Sequence, residues 1–194
     1  MGGRGLVDVT LDNLRDVPPE VRLALFWETD TDEEPPDPGF EKEEWFSEVL
    51  LEWGGCGLML TEDELGAVAF AQFAPASFFP RLARFRSGRV SADAVYLSYC
   101  YVVAARRGFG LGTHLVRAVA RTLLGREMRA VEALGDRERA DGWVLPASFL
   151  GANGFHVVRE DPRFPLMRLD LRTAVEPEEA MEAAALPLPA PGAA

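Results

Sequence analysis

The hydrophobic and polar positions are most clearly patterned in the middle of the chain. Residues 96–103 are a run with three tyrosines and no glycine, proline or formal charge, which predicts a buried strand. After a short connection, glycines stand at every second position, at Gly108, Gly110 and Gly112. Hydrophobic residues then recur at helical spacing over residues 111–124. The pattern predicts a strand, a glycine turn and an amphipathic helix in direct succession.

The same reading divides the rest of the chain into shorter elements. Before the central unit it predicts a strand at 6–11, helices at 19–26 and 40–53, and a hairpin of strands 56–60 and 65–73. After it come a strand at 130–134, parallel to the central strand, then a helix at 143–153 and a closing hairpin of 156–158 with 166–171. We therefore predict one domain over residues 1–173 and a disordered tail, rich in Ala, Pro and Glu, over residues 174–194.

A glycine turn that leads into a helix has a chemical meaning. The first turn of a helix leaves backbone N–H groups unpaired and carries a partial positive charge, so a phosphate can bind there. The dinucleotide fingerprint fails, because the sixth position is Thr113 when counted from Gly108 and Leu115 when counted from Gly110. The P-loop also fails, because Thr113 stands where that motif has lysine.

The string that remains, R-x-x-G-x-G from Arg107 to Gly112, resembles motif A of the GCN5-related N-acetyltransferases. The resemblance implies that backbone amides from Gly108 to Thr113 hold the pyrophosphate of acetyl-CoA. It also implies that the strand lends main-chain groups to the pantetheine arm and thioester. The cofactor-binding residues implied are Tyr101, Val102, Val103, Arg107, Gly108, Phe109, Gly110, Leu111, Gly112 and Thr113.

The order of the predicted elements agrees with that family. It implies an α/β fold with a mixed, mostly antiparallel twisted sheet of about six or seven strands, splayed at its central parallel pair and flanked by helices. The implied function is acetyl-CoA-dependent transfer of an acetyl group to an amine, by direct attack in a ternary complex. A homodimer is frequent in the family, and the identity of the amine stays open.

The expected catalytic side chains are only partly present. Many family members have a tyrosine four residues before the glycine of a Gly-Phe pair, and that position is Leu150 here. Tyr99 and Tyr101 are candidate substitutes. Glu132, a carboxylate inside an apolar strand, is the first candidate base, ahead of the turn and edge carboxylates Glu62, Asp63, Glu64 and Asp93. The oxyanion could be met by backbone N–H groups near Val102 and Val103. Because the usual acid is missing, an acyl-CoA-binding module without catalysis is the alternative function.

Two charged segments leave the acceptor open. Residues 28–39 form an acidic loop that could attract a cationic amine, while the long link at 75–90 carries four arginines between Arg81 and Arg89 that favour an anion.

Composition excludes several classes of protein. The net charge is −11 over 194 residues, with no clustered basic face, so nucleic acid is not an expected partner. Cys56 and Cys100 are too few for a disulfide framework and lack metal-site spacing, so we predict no metal. Neither a secretion signal nor a membrane-length apolar run is present, and the sequence predicts a cytoplasmic protein without a membrane partner.

Overall fold

A computed structural model describes residues 4–138 and 142–174 of the chain. Nearly all of the predicted disordered tail, residues 174–194, lies outside the described residues, so the domain boundary at 173 stays a prediction. None of the helices in the described ranges has the length and apolar character that crossing a membrane requires. The predictions of a cytoplasmic location and of a homodimer stay predictions.

One mixed sheet carries the fold. Its strands are β1 Arg4–Asp8, β2 Gly57–Glu62, β3 Gly66–Ala74, β4 Ala94–Val102, β5 Ala130–Asp136, β6 Leu145–Pro146, β7 His156–Arg159 and β8 Leu166–Asp170. The spatial order is β1-β2-β3-β4-β5-β8-β7, and β6 pairs with β5. The pairs β4–β5 and β5–β6 are parallel, and the other pairs are antiparallel. The predicted fold class is confirmed, with one short strand more than expected in the described part of the chain.

The α-helices that flank the sheet within residues 4–138 and 142–170 are α1 Pro19–Arg22, α2 Pro38–Trp53, α3 Leu111–Leu124 and α4 Ala147–Ala152. Helix α2 begins where the Asp37 carboxylate accepts a hydrogen bond from the Phe40 N–H at 3.0 Å, with Pro38 in the first turn. It ends at Gly54, whose φ of 80° is in the left-handed region. Helix α3 has the predicted bounds, and it begins after Gly110 with a φ of 77°.

Each face of the sheet packs against its own core. On one face, Leu115 and Val119 of α3 pack with Val95 and Leu97 of β4. On the other face, a second core contains side chains from α1 and α2 together with Tyr96 and Tyr99 of β4. We call these the α3 face and the α2 face. Because side chains alternate along a strand, β4 contributes to both cores.

Two helices are shorter than predicted. Helix α1 ends at Arg22 rather than near residue 26. Helix α4 begins at Ala147 rather than at 143, because Leu145 and Pro146 pair in parallel with Gly135 and Asp136 of β5. That pairing joins residues about ten positions apart, and the helical spacing of the apolar residues did not indicate it.

The long link between β3 and β4 is part of the core. It contains two 3₁₀ turns, Ala76–Phe78 and Pro80–Arg84. Phe79 and Leu82 are buried on the α2 face, and the Phe79 ring packs edge-on against Tyr96 at 5.3 Å. The residues of this long link therefore cover part of the core on the α2 face.

Candidate active site

The parallel strands β4 and β5 separate after three paired residues. Their pairing runs from Ala94 with Ala130 to Tyr96 with Glu132 and stops there, although β4 continues to Val102 and β5 to Asp136. Beyond that point β5 pairs with β6 instead. The predicted splay is therefore present, and it opens a gap in the sheet beside the last six residues of β4.

A cleft of about 650 Å³ occupies this gap. It is lined by α1, by residues 99–102 of β4, by the glycine loop with the start of α3, and by residues 142–146 with Phe149. Cys100 and Val102 reach it from the α3 face, while Tyr99 and Tyr101 reach it from the α2 face. The cleft thus passes through the sheet and connects its two faces.

A β-bulge sets which side chains of β4 enter the cleft. Gln72 of β3 pairs with Tyr99 and Phe73 pairs with Leu97, so Ser98 is the extra residue. The Ser98 hydroxyl donates to the main-chain carbonyl of Gln72 at 3.2 Å and accepts from the side-chain amide of Gln72 at 3.0 Å. The extra residue shifts the alternation by one position, so Tyr96 and Tyr99 belong to the same core on the α2 face.

The glycine loop is an open cradle at the start of α3. Gly108 and Gly110 have φ values of 83° and 77°, which L side chains rarely adopt, and a Cβ at either position would meet nothing within 4 Å. The first hydrogen bond of the helix runs from the His114 N–H to the Gly110 carbonyl, at 3.0 Å. The N–H groups of residues 111–113 come before it and therefore have no acceptor within the helix. This open space beside unpaired N–H groups fits a phosphate group.

Gly112 has a different role from the other two glycines. A Cβ there would lie 3.0 Å from Cε2 and 3.2 Å from Cζ of Phe149. The missing side chain lets the start of α3 approach α4 closely.

Main-chain groups of β4 alternate between β3 and the gap. Val103 donates its N–H to the Val68 carbonyl of β3 at 3.0 Å, so the predicted use of this N–H for an oxyanion is ruled out. By alternation, the main-chain groups of Cys100 and Val102 point to the gap. The carbonyl of Val102 accepts from Nε of Arg107 at 3.0 Å.

Tyr99 is the inner wall of the cleft on the α2 face. Its ring packs edge-on against Trp143 at 5.9 Å, and its hydroxyl donates to Oε2 of Glu28 at 3.4 Å. Burial, and then the charge of Glu28, raises the pKa of Tyr99 well above its usual value. Tyr99 is therefore protonated at neutral pH, with its proton directed away from the cleft.

A buried polar cluster lies behind Tyr99. The Glu28 carboxylate pairs with the ammonium of Lys42, which is fully buried, and accepts from the side-chain amide of Gln72 at 2.5 Å and from the Trp27 N–H at 3.1 Å. Lys42 also donates to the Ala24 carbonyl at 2.8 Å, and its ammonium lies 4.8 Å from the Tyr99 ring centroid. The cluster joins α2, β3 and the segment after α1 at the back of the cleft.

Tyr101 faces the cleft at the opposite end of this wall. Burial, and then the nearby carboxylate of Glu20, raises the pKa of the Tyr101 hydroxyl. The guanidinium of Arg107 lies 5.8 Å from its ring centroid. Glu20, in the first turn of α1, lines the same cleft.

Two residues singled out from sequence lie outside the cleft. Glu132 has its carboxylate buried between the Arg168 guanidinium, at 3.1 Å, and the Ser91 N–H, at 2.8 Å. Leu150 is buried in the core of the α3 face, and its neighbour Phe149 reaches the cleft instead. Helix α4 therefore contributes the Phe149 ring to the cleft. The position where the family often has tyrosine, Leu150, contributes no hydroxyl.

Most of the predicted cofactor-binding residues are brought together. Val103 does not line the cleft, and Phe109 is exposed at the tip of the glycine loop. Those that line it are Tyr101, Val102, Arg107, Gly108, Gly110, Leu111, Gly112 and Thr113.

The acidic loop and the arginine-rich link are joined by ion pairs at Asp32. Asp32 accepts from Arg81 at 2.7 Å and from Arg84 at 2.9 Å. Arg81 also donates to the Thr29 carbonyl at 3.1 Å and is largely buried. These residues do not line the cleft, so the expectation that either segment attracts the acceptor loses its main support.

Sequence reasoning overlooked Lys42 and Glu20. Lys42 is the single lysine of the chain, and it stands three residues before Trp45 and seven before Val49, on the apolar stripe of α2. A charge on an apolar stripe is a usable signal of a buried partner. Glu20 carries no such signal, because an acidic residue is ordinary in the first turn of a helix.

The fold and the cleft agree with the comparison with protein families. Residues 22–142 match the acetyltransferase (GNAT) family. The chain belongs to this family of acetyltransferases, and the resemblance inferred from the glycine loop is confirmed.

Solved structures share the fold at low sequence identity. An N-acetyltransferase from Staphylococcus aureus Mu50 has a TM-score of 0.59 and 17% identity, over 87% of this chain and 99% of that one. PaiA N-acetyltransferase from Thermoplasma acidophilum, solved with coenzyme A, has a TM-score of 0.54 and 13% sequence identity, over 87% of this chain and 99% of that one. YncA from Salmonella typhimurium, solved with its cofactor acetyl-CoA, has a TM-score of 0.59 and 16% sequence identity over 99% of both chains. No curated protein sequence matches the chain.

Proposed function

We propose that the protein is an acetyl-CoA-dependent N-acetyltransferase in which an amine attacks the cofactor directly while both are bound in the cleft. The observation that carries the proposal is the cleft that passes through the sheet, with the glycine cradle at the start of α3 and tyrosine walls on the α2 face. Acetyl-CoA supplies the thioester: a C–N bond forms, the C–S bond breaks, and the thiolate takes a proton either directly from the nitrogen or from a side chain that the nitrogen's proton then restores.

The residues of the cradle suit such a cofactor. Backbone N–H groups from Gly108 to Thr113 would hold the pyrophosphate at the positive end of α3. The gap-facing main-chain groups of Cys100 and Val102 would bind the pantetheine arm, and their N–H groups can stabilise an oxyanion without a special side chain.

Tyr101 is the better-placed proton donor of the two tyrosines. Its hydroxyl is hydrogen-bonded to Glu20 within the cleft and has a raised pKa, so it is protonated at neutral pH and its proton lies inside the site. Tyr99 already donates to Glu28 behind the wall. A thiol with a pKa near 8.5 leaves as thiolate at modest cost, so this proton donor helps the reaction but is dispensable.

The burial of Leu150 favours a second candidate function, an acyl-CoA-binding module that does not turn over. A panel of amines tested with acetyl-CoA separates the two functions. Acetylation of any of them removes the binding-only reading.

The cofactor is tested first by thermal-shift titration with acetyl-CoA, CoA, NAD and ATP. Selective stabilisation by acetyl-CoA and CoA is expected, by about 2.7 kcal/mol at a hundred times the dissociation constant. In Gly110→Leu the bulky side chain fills the open cradle, so affinity for CoA should fall at least tenfold. Gly66→Leu is the matched control, because Gly66 has a similar φ of 69° and open space but does not line the cleft.

If the protein binds NAD or ATP in preference to CoA, the proposed function is wrong. If Gly110→Leu and Gly66→Leu retain equal affinity for CoA, the glycine loop is only the start of a helix and the phosphate assignment fails.

A further inference from the structure

The part of the cleft on the α2 face has the composition of a binding site for one positive charge. We call it the acceptor half and define it by Glu20, Val21, Tyr99, Tyr101, Trp143 and Val144. Among the described residues that line the cleft, Glu20 is the one carboxylate. The other members of the acceptor half present aromatic or aliphatic surface.

The glycine cradle and α1 contribute opposite charges that meet at Tyr101, where the Arg107 guanidinium lies 5.8 Å from the ring centroid and Glu20 is hydrogen-bonded to the hydroxyl. Arg106 and Arg107 stand beside the glycine cradle, where the cofactor phosphates are proposed to lie. Arg106 is also bound to Glu62 at 2.9 Å. A cationic ligand is therefore repelled from the cradle and attracted towards α1.

The other carboxylates near this wall already have partners. Glu28 is buried and bound by Lys42, Gln72 and the Trp27 N–H. Asp32 is bound by Arg81 and Arg84. Glu20, by contrast, is exposed at the mouth of the cleft, and the partner of its carboxylate is not a cation but the neutral hydroxyl of Tyr101, with which it forms a hydrogen bond. It is the carboxylate that an incoming ammonium group can reach.

We propose that Glu20 binds the ammonium group of the acceptor, which releases one proton to solvent before its nitrogen attacks the thioester, and that the acceptor is a primary amine with one positive charge and a flat apolar body. The body packs against Tyr99 and Trp143, whose rings stand edge-to-face. Aromatic faces next to an ammonium group add to the attraction. A polyamine fits less well, because its second charge meets no carboxylate among the described lining residues. This inference rests on the proposed function.

The test compares wild type with Glu20→Gln and Glu41→Gln. Glu41 is the matched control, because it is also an exposed acid in the first turn of a helix but does not line the cleft. The probe is 2-phenylethylamine, with spermidine as the polycation. The dissociation constant of each amine is measured with and without saturating CoA, and kcat/KM is measured with acetyl-CoA.

In Glu20→Gln we expect binding of 2-phenylethylamine and kcat/KM for it to fall about tenfold, because a charge-assisted hydrogen bond is lost. Glu41→Gln should stay within twofold of wild type, and affinity for CoA should be unchanged in both variants. Wild type should bind 2-phenylethylamine more tightly than spermidine.

Equal amine affinity in wild type and Glu20→Gln would overturn the role of Glu20, and tighter binding of spermidine would overturn the substrate class. A wild-type protein that binds the amine but forms no acetylated product contradicts the proposed function instead. In that case the dissociation constants alone decide the role of Glu20.

Discussion

Glu132 and Glu20 show how surroundings decide the role of a carboxylate. Glu132 lies on β5, one of the two splayed strands, and Glu20 lies on α1, which lines the gap between them. Glu132 is fully buried, and both of its oxygens are bound, by Arg168 and by the Ser91 N–H. Glu20 is exposed at the cleft. A buried and doubly bound carboxylate stabilises the fold, whereas the exposed one is available to a ligand.

We therefore expect Glu132→Gln to lower stability and leave the cleft unaffected. The free energy of unfolding should fall by about 1–3 kcal/mol, less than for a buried pair with a single partner, because Arg168 keeps Asp93 and Asp170. Affinity for acetyl-CoA should stay within twofold. Urea denaturation and a binding titration measure the two quantities.

Asp170→Asn is the control for this substitution. It removes a half-exposed partner of the same arginine, so it should lower the free energy of unfolding by less than about 1 kcal/mol. Lost turnover in Glu132→Gln at unchanged stability would instead support a catalytic role for Glu132.

At the scale of elements, helix α2 is attached to the sheet through a buried charge. Its Lys42 pairs with Glu28, which also binds Gln72 of β3 and Tyr99 of β4. Since Tyr99 forms the inner wall of the cleft, this pair links the position of α2 to the shape of the site.

Removing the ammonium should be costly. Lys42→Met leaves the Glu28 carboxylate buried without its cation, and we expect the free energy of unfolding to fall by about 3–5 kcal/mol. The double variant Lys42→Met with Glu28→Gln removes both charges. It should lose clearly less than the sum of the two single variants, as measured by urea denaturation. Additive losses would mean that the two charges do not stabilise each other.

The central elements could be predicted because their signals are local. Helix α3 has an apolar stripe and a glycine at its start, and both its bounds were predicted correctly. The bulge at Ser98 could not be predicted, because it appears only when β3 pairs with β4. The predicted start of α4 was wrong for a similar reason, since the pairing of Leu145 with Gly135 delays the start of the helix to Ala147.

The site shows the same division between local and non-local signals. The cradle of Gly108 and Gly110 is a spacing within the sequence, and it was predicted. Glu20 approaches Tyr101 from a position 81 residues earlier in the chain. Only the folded chain brings these two residues together, and neither carries a local signal of the contact.

At the scale of the whole molecule, the core of the α2 face makes stability depend on pH through a buried thiol that does not line the cleft. Cys56 is fully buried on the α2 face, and burial raises its pKa from 9.0 to about 12, with a smaller opposing effect of Lys42. A thiol with a raised pKa in the folded state contributes stability that is complete below pH 9. That contribution is lost as the pH rises towards 12, because only the unfolded chain ionises there.

The free energy of unfolding of wild type should exceed that of Cys56→Ala by an amount that shrinks by about 1.4 kcal/mol for each pH unit above 9. Urea denaturation between pH 7 and 10.5 measures it. Val49→Ala is the control: Val49 is equally buried and does not titrate, so its difference from wild type should not change with pH. A constant difference for Cys56→Ala across this range would mean that the folded protein ionises Cys56 as readily as the unfolded chain. Water would then reach the thiol, and the core of the α2 face would be looser than its packing indicates.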